Sequence, residues 1–417
     1  MSKLVIIFGY NNTRVYDIER LKKMCREMLG ADIMLCKESI TQVDLDITAH
    51  TLEVDLAKYD IENITHQMKL IDDYITSNKF TVIACLPFSD KGIPLGSYYA
   101  RSKGLTHDDC EKSIVCIDKF EFRVLEKEAH TPSWYKKPFF KKIHTIEEAR
   151  NCIHKSDAAL FFKPVAEGNS RGCIEINSIE NLEANLEIVK TYLQQGIVIE
   201  ECIKGCDEYS FDGVDGNYII TEKKTSQGFY RVETQHTLPA PLEGELYDRL
   251  IQAGKIVSEI SGSNHGAVHN ELFLNKKTGE VYCVEPNRRP AGLKLWDWIS
   301  TAYPGTDNWS AWLNWAASKS NTNKIADNKY YVGCRMLQAP LTGTIQTINN
   351  NIKSKIQAMD GVCDIAVTKK EGQSVTNNLK DNSDFTGYIV CKSDTFKGLV
   401  SMLDLIERES AKIYNIG

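Results

Sequence analysis

The 417-residue chain has no C-x-x-C pair, no long basic block, no apolar run of membrane-spanning length and no low-complexity segment or long-period repeat. Each absence removes a class of function. Cys202 and Cys206 are close in sequence, but no second ligand pair completes a zinc site. The 13 cysteines are scattered and odd in number, and Cys85, Cys283 and Cys391 lie in apolar runs. Reduced, buried thiols explain that pattern better than a disulfide framework. A net charge of -6 without a basic block gives no sign of a nucleic-acid surface. No membrane span is expected. The opening M-S-K-L-V-I-I-F-G is too short an apolar run for a signal peptide and continues as a strand, so a cytoplasmic protein is expected. Gly9 is not followed by G-x-x-G, which removes the dinucleotide fingerprint.

What is present is ordinary globular composition, 42% hydrophobic and 25% charged, enough for a core divided among two or three domains. Residues 3–8 are a β-branched run. A helical pattern follows from about Val15 to Leu29, and an apolar run covers Ile33 to Cys36. This β-α-β rhythm predicts a parallel sheet. A helix over 61–77, the strand T-V-I-A-C-L-P-F and a helix at L-G-S-Y-Y-A-R-S-K-G-L complete an open α/β domain over 1–112. The texture changes at Ser113. Asp118-Lys119-Phe120 opens a helix to Glu128, and strands alternate with a helix over about 179–195. A last region, 321–417, carries three strand-like runs and helices near 350–357 and from Asp394 to about Lys412.

Chemistry concentrates in V-H-N-E-L-F-L-N-K-K-T-G-E-V-Y-C-V-E-P-N-R-R-P-A-G, residues 268–292. It reads as two strands joined at Lys277-Thr278-Gly279, with Glu271 on the first and Glu285 and Asn287 on the second. Residues two apart share a strand face, so Glu285 and Asn287 point together. Hard oxygen ligands beside Arg289 suit magnesium and a polyphosphate. Upstream, Lys163 ends a strand and G-N-S-R-G follows. Backbone N–H groups of such a loop can meet phosphate oxygens while the lysine neutralises charge. It is not a Walker A loop. The stretch V-I-E-E-C-I-K-G-C-D-E-Y-S is a strand, a short turn and a strand; such a hinge can face an adenine edge, with Glu208 near ribose hydroxyls.

In order, P-F-S-D-K-G-I-P-L-G, D-K, F-K-P-V-A-E-G-N-S-R-G, I-E-E-C-I-K-G-C-D-E-Y-S, N-E-L and E-P-N-R-R-P-A-G resemble an ATP-grasp enzyme over most of the chain. The family pattern E-x-N-x-R-x-x-G fits at Glu285, Asn287, Arg289 and Gly292. The resemblance implies an α/β (α+β overall) ATP-grasp fold: a Rossmann-like pre-ATP-grasp domain at 1–112, an ATP-grasp domain at 113–320 with a mobile lid at about 150–210, and a C-terminal closing lobe at 321–417. It implies ATP with Mg2+, two ions, Mn2+ being able to substitute. Lys119 and Lys163 would contact the phosphates, and Ser170 and Gly172 would lie in the loop closing over them. Glu201, Cys202 and Ile203 would flank adenine, Ile203 through its backbone, and Glu208 would bind ribose. Glu271, Glu285 and Asn287 would hold metal, and Arg289 would face the reacting phosphoryl group or the substrate carboxylate. Two departures stand out: the hinge has one residue more than usual between Glu201 and Glu208, and Arg288 occupies a place where proline is common.

The run V-E-T-Q-H-T-L-P-A-P carries Glu233 and His236 as E-x-x-H-x-x-P. It is similar to the substrate-side segment of ATP-dependent L-amino acid ligases, a group of carboxylate-amine ligases. By that likeness Glu233 and His236 line the amino-substrate pocket and Leu293 shapes it. The implied reaction joins a carboxylate to an amine, two amino acids, through an acyl phosphate. The partners are small molecules, and a homodimer is an analogy-based expectation. The alternatives are an ATP-grasp ligase or carboxylase with another substrate, and a non-catalytic nucleotide-binding regulator.

Overall fold

A computed structural model describes residues 2–168, 171–226, 232–320 and 324–417. Among them the strands form four sheets. The chain opens with β1 (Ser2–Phe8), α1 (Val15–Met24), β2 (Ala31–Lys37), α2 (Gln42–Ile47), β3 (Thr51–Glu53), α3 (Ile61–Ser77), β4 (Phe80–Pro87) and α4 (Gly92–Ser102). The strands make a parallel sheet in the order β3-β2-β1-β4. A parallel strand is covered on both faces and is apolar throughout. In β1, Val5 and Ile7 join a core with Leu21, Trp309 and Trp312, while Leu4, Ile6 and Phe8 join one with Ile64, Ile71 and Tyr99. The helical pattern expected to run unbroken to Leu29 instead widens after Met24 into a π-helical turn, Cys25–Leu29, and stops at Gly30 in the left-handed conformation. The sequence reading missed α2 and β3. The short α2 rests on a reciprocal Thr41–Asp44 capping box rather than on a long apolar stripe.

α4 begins at Gly92, before the expected L-G-S. A side chain there is excluded, since a Cβ would stand 2.3 Å from the Phe8 carbonyl oxygen. The glycine lets the helix start press against the end of β1 and brings the S-D-K loop to the carboxyl edge of the sheet.

Next come α5 (Lys119–Glu128), β5 (Tyr135–Lys136), β6 (Phe140–Ile143), α6 (Ile146–His154), β7 (Leu160–Pro164), β8 (Ile174–Ile176), α7 (Ile179–Ala184), α8 (Leu186–Tyr192) and β9 (Ile197–Glu201). The antiparallel sheet β6-β9-β7-β8 packs one face on a core of Ile143, Phe162, Ile174, Ile176, Leu182 and Val189. The helix expected over 179–195 is two helices. Asn185 breaks it, leaving helical geometry at φ -114°, ψ 13° while its side-chain amide donates to the Asn181 carbonyl.

The remaining elements are β10 (Asp207–Val214), β11 (Asn217–Thr225), β12 (Glu233–Leu238), α9 (Glu245–Ile260), β13 (Val268–Leu274), β14 (Val281–Glu285), α10 (Leu295–Ala302), α11 (Asn308–Ala316), β15 (Tyr331–Leu337), β16 (Gly343–Ile348), α12 (Asn350–Gln357), β17 (Val362–Val367), β18 (Ser374–Val375), β19 (Gly387–Ser393), α13 (Phe396–Ser410) and β20 (Tyr414–Ile416). The largest sheet runs β17-β19-β15-β12-β11-β10-β13-β14-β5. It joins the C-terminal strands to the central ones by a β12–β15 pairing with Gln235 opposite Arg335. One face of its middle is apolar: Tyr209, Phe211, Ile220, Val268 and Leu272 pack on Leu250, Ala253 and Val257 of α9. Strand alternation sends the intervening residues to the other face. Among the described residues, no helix is long and apolar enough to cross a membrane.

Candidate active site

The face opposite α9 is polar because the sequence alternates in register on five strands. His236, Lys223 and Glu208 form one cross-strand row, with Lys223 opposite both neighbours. Two residues along, Thr221, Ser210, Glu271 and Glu285 form the next. Asp212 and His269 follow. Ser210, Asp212 and Thr221 on this face are fully buried, whereas the carboxylates of Glu208, Glu271 and Glu285 stay partly exposed.

Glu271 and Glu285 are opposite one another at the end of the β13–β14 hairpin, beside a register shift between Glu271 and Leu272. Asn287 lies just beyond β14 and donates from Nδ2 to Glu285 Oε1 at 3.4 Å. Its backbone is anchored, with His269 N donating to Asn287 O at 2.8 Å and Asn287 N to Asn270 Oδ1 at 3.2 Å. The expected trio is therefore brought together. Two carboxylates and an amide, all oxygen donors, fit a magnesium ion.

Lys119 is the first residue of α5, whose start is capped by Asp118 accepting from Phe120 N and Glu121 N. Its ammonium points inward, 3.3 Å from Glu285 Oε2, and donates to the Glu167 carbonyl at 2.6 Å. Burial alone would lower this ammonium's pKa, but Glu285, helped by Cys173 and Asp90, holds the group above its ordinary value. Lys163, on β7, lies 2.7 Å from Glu200 Oε2. Glu200 also pairs with Arg123 at 2.7 Å, and Arg123 with Glu126 at 2.7 Å. Burial would raise the Glu200 carboxyl, yet Arg123 and Lys163 hold it down at about 2. Both expected phosphate lysines thus rest on carboxylates in this molecule.

Gly172 precedes β8 at φ 69°, where a Cβ would stand 2.3 Å from the Tyr192 ring. Ser170 lies outside the described residues. Glu201 ends β9 and is exposed. It pairs with Leu160, whereas Glu200 lies on the face that carries Lys163. The hinge 202–206 follows, with Cys202 N donating to the Ala159 carbonyl at 3.1 Å and Ile203 next to it.

Glu208 lies in a cluster with Glu233 and Glu271 around the Lys223 ammonium, at 2.8, 2.5 and 2.7 Å. Burial raises the Glu208 carboxyl; for Glu233 and Glu271 burial acts the same way, but Lys223 together with His236 and His269 respectively places Glu233 at about 2 and Glu271 well below the usual range. His236 Nε2 is 3.2 Å from Glu233 Oε2, so the two expected substrate-side residues are adjacent. His269 Nδ1 meets Asp212 at 2.5 Å and its Nε2 lies 3.5 Å from Glu271.

Arg289 donates from Nε to Asp90 Oδ1 at 3.1 Å, and so the S-D-K loop of the N-terminal sheet meets the E-P-N-R segment. Arg288, where proline is common, is fully buried and donates to the Asp109 carbonyl at 2.7 Å and the Gly262 carbonyl at 3.0 Å, tying the hairpin exit to the loop before α5 and to the end of α9. Leu293 and Lys294 both take left-handed backbone angles, φ 52° and 59°, and Leu293 is 40% exposed. Lys294 reaches Asp364 of β17 at 3.1 Å.

Sequence reasoning missed Lys223, Glu200, Arg123, Asp90 and the Asp212–His269 pair. The alternation Glu208-Ser210-Asp212 and His269-Glu271 was the available signal for Asp212 and His269. Nothing in the doublet Glu200-Glu201 says which member turns inward.

Residues 157–297 match the model of the ATP-grasp domain. Alanine–anticapsin ligase of Bacillus subtilis is 27% identical over 182 residues, 37% of this chain and 38% of that protein. The vancomycin B-type resistance protein VanB of Enterococcus faecalis is 27% identical over 190 residues, 42% of this chain and 53% of that protein. The matches therefore span well under two thirds of these curated relatives. The crystal structure of an L-amino acid ligase from Bacillus licheniformis superposes with a TM-score of 0.76 at 18% identity, covering 100% of this chain and 98% of that one. A likeness at that identity speaks for the fold, and the full coverage extends it to both ends of the chain. Residues 157–297 are an ATP-grasp domain, and the chain as a whole has the ATP-grasp fold.

Proposed function

We propose that this chain is an ATP-dependent carboxylate–amine ligase that joins two amino acids through an acyl phosphate, releasing ADP and phosphate. The observation that carries the reading is the convergence of Lys119, Glu285 and Glu271 with the Glu233–His236 pair on one polar sheet face. The names of its relatives, an alanine–anticapsin ligase and an L-amino acid ligase, support the substrate class.

A carboxylate carbon is a poor electrophile, and phosphorylation supplies a leaving group. Lys119 and Lys163 would exchange their carboxylate partners for the triphosphate oxygens and hold the γ-phosphorus in line with a substrate carboxylate oxygen. That oxygen bonds to phosphorus as the bond to ADP breaks. Glu271, Glu285 and Asn287 would hold Mg2+, with Mn2+ able to replace it; bound metal neutralises charge building on the phosphate oxygens. The amine nitrogen then attacks the acyl carbon. Arg289, kept aimed by Asp90, would stabilise the oxyanion that forms. The carbon–oxygen bond to phosphate breaks, and phosphate leaves. Glu233 and His236 would orient the amine and accept its proton. Glu208 and the hinge, Glu201 to Ile203, would hold the nucleoside, and the loop with Ser170 and Gly172 would close over the phosphates to exclude water. Leu293 would border the substrate side chain.

Phosphate release with ATP and Mg2+ against single and paired amino acids tests the reading. Release that requires a pair supports it, and release with neither singles nor pairs contradicts it.

A further inference from the structure

Lys223 has no part in the reaction just described, yet it stands at its centre. Its side chain is fully buried. A lysine ammonium has three donors and no acceptor, and here three carboxylates from three strands meet it: Glu208 of β10, Glu233 of β12 and Glu271 of β13. Their oxygens come within 4.8 Å of one another. Three carboxyls that close repel one another when ionised, and a cation between them offsets that repulsion. The carboxylate side chains are 15, 30 and 16% exposed, so the lysine forms the floor and the acids the walls of one compartment. His236, opposite Lys223 on the neighbouring strand, closes the side next to Glu233.

We propose that Lys223 is a positioning residue that fixes these three carboxylates and keeps a divalent cation out of the space between them. The proposal rests on the ligase reading, in which Glu208 serves the nucleotide, Glu271 the metal and Glu233 the amine. Without Lys223 a metal would settle among all three acids and pull Glu271 away from Glu285. With it, metal is confined to the Glu271–Glu285–Asn287 side, and the amine-side acid stays free for its own partner. An internal ammonium suits this task because it is bound covalently and neither dissociates nor varies with metal supply.

The test is Mn2+ binding to the full chain without nucleotide, read by electron paramagnetic resonance. Lys223→Met keeps an unbranched side chain, one atom shorter, and removes the charge. The folded variant is expected to bind an additional Mn2+ per chain, or to bind Mn2+ about tenfold tighter or more. Lys223→Arg is expected to restore the unmodified stoichiometry. A merely structural lysine would weaken binding or leave it unchanged on replacement, and either result in folded Lys223→Met overturns the proposal. Should that variant not fold, Lys223→Met/Glu233→Gln lowers the repulsion and is read against Glu233→Gln alone, with the same two outcomes. Phosphate release by the unmodified protein is scored separately. Its absence beside a gained Mn2+ site would remove the ligase reading and leave the placement of Lys223 standing.

Discussion

Glu271 and Glu285 stand opposite each other on β13 and β14, and each holds a different lysine, Lys223 at 2.7 Å and Lys119 at 3.3 Å. In the proposed ligase the pair would join the amine side of the site to the phosphate side. Replacing Glu285 by Gln keeps shape and removes a hard anionic donor. We expect ATP-dependent product formation to fall by about a hundredfold or more, with the melting temperature nearly unchanged. Near-normal turnover in Glu285→Gln would remove this residue from the metal set.

Glu200 ties two cations together in the interior. Its carboxylate is buried between Arg123 and Lys163. Glu200→Gln leaves two buried cations undercompensated, and a loss of about 3 kcal/mol is expected in urea unfolding. The sign with pH follows from a carboxyl depressed from 4.5 to about 2 in the folded chain. Its contribution is complete above about pH 4.5 and is lost as pH falls toward 2. The unmodified protein should therefore lose stability more steeply than Glu200→Gln across that window. Parallel curves would show that Glu200 contributes no such linkage.

His236 Nε2 lies 3.2 Å from the Glu233 carboxylate. For His236→Ala we expect the KM of one amino acid substrate to rise about tenfold, with ATP affinity unchanged. Steady-state kinetics with each substrate varied in turn would measure this. Unchanged KM and kcat would place His236 outside the site.

Helix α3 covers the expected 61–77, with Asp60 accepting from Asn63 N at its start and Ile64, Gln67 and Ile71 recurring on its buried face. The hairpin carrying Glu271 and Glu285 was legible because Lys277-Thr278-Gly279 punctuates it. What escaped was anything decided by which way one side chain turns. Glu200 and Glu201 are adjacent and chemically identical, and only strand register sends Glu200 to Lys163. Lys223 sits in E-K-K, where one lysine goes inward and its neighbour out. Arg288 takes its place through the Asp109 and Gly262 carbonyls, which are distant in sequence.

Arg288 yields its own prediction. Arg288→Met removes the donor to two carbonyls and the positive charge beside Asp108, a buried carboxyl already raised by burial. A stability loss of about 2–3 kcal/mol is expected, with kcat reduced far less than in Glu285→Gln. A stability change below about 0.5 kcal/mol would mean that the tie is dispensable.

The most direct measurement is phosphate release with ATP and Mg2+ against amino acids singly and in all pairs, with products read by mass spectrometry. The account predicts release that depends on a pair and a new mass equal to the two amino acids less water. Release that is the same with one amino acid as with any pair, and no condensed product, would contradict it.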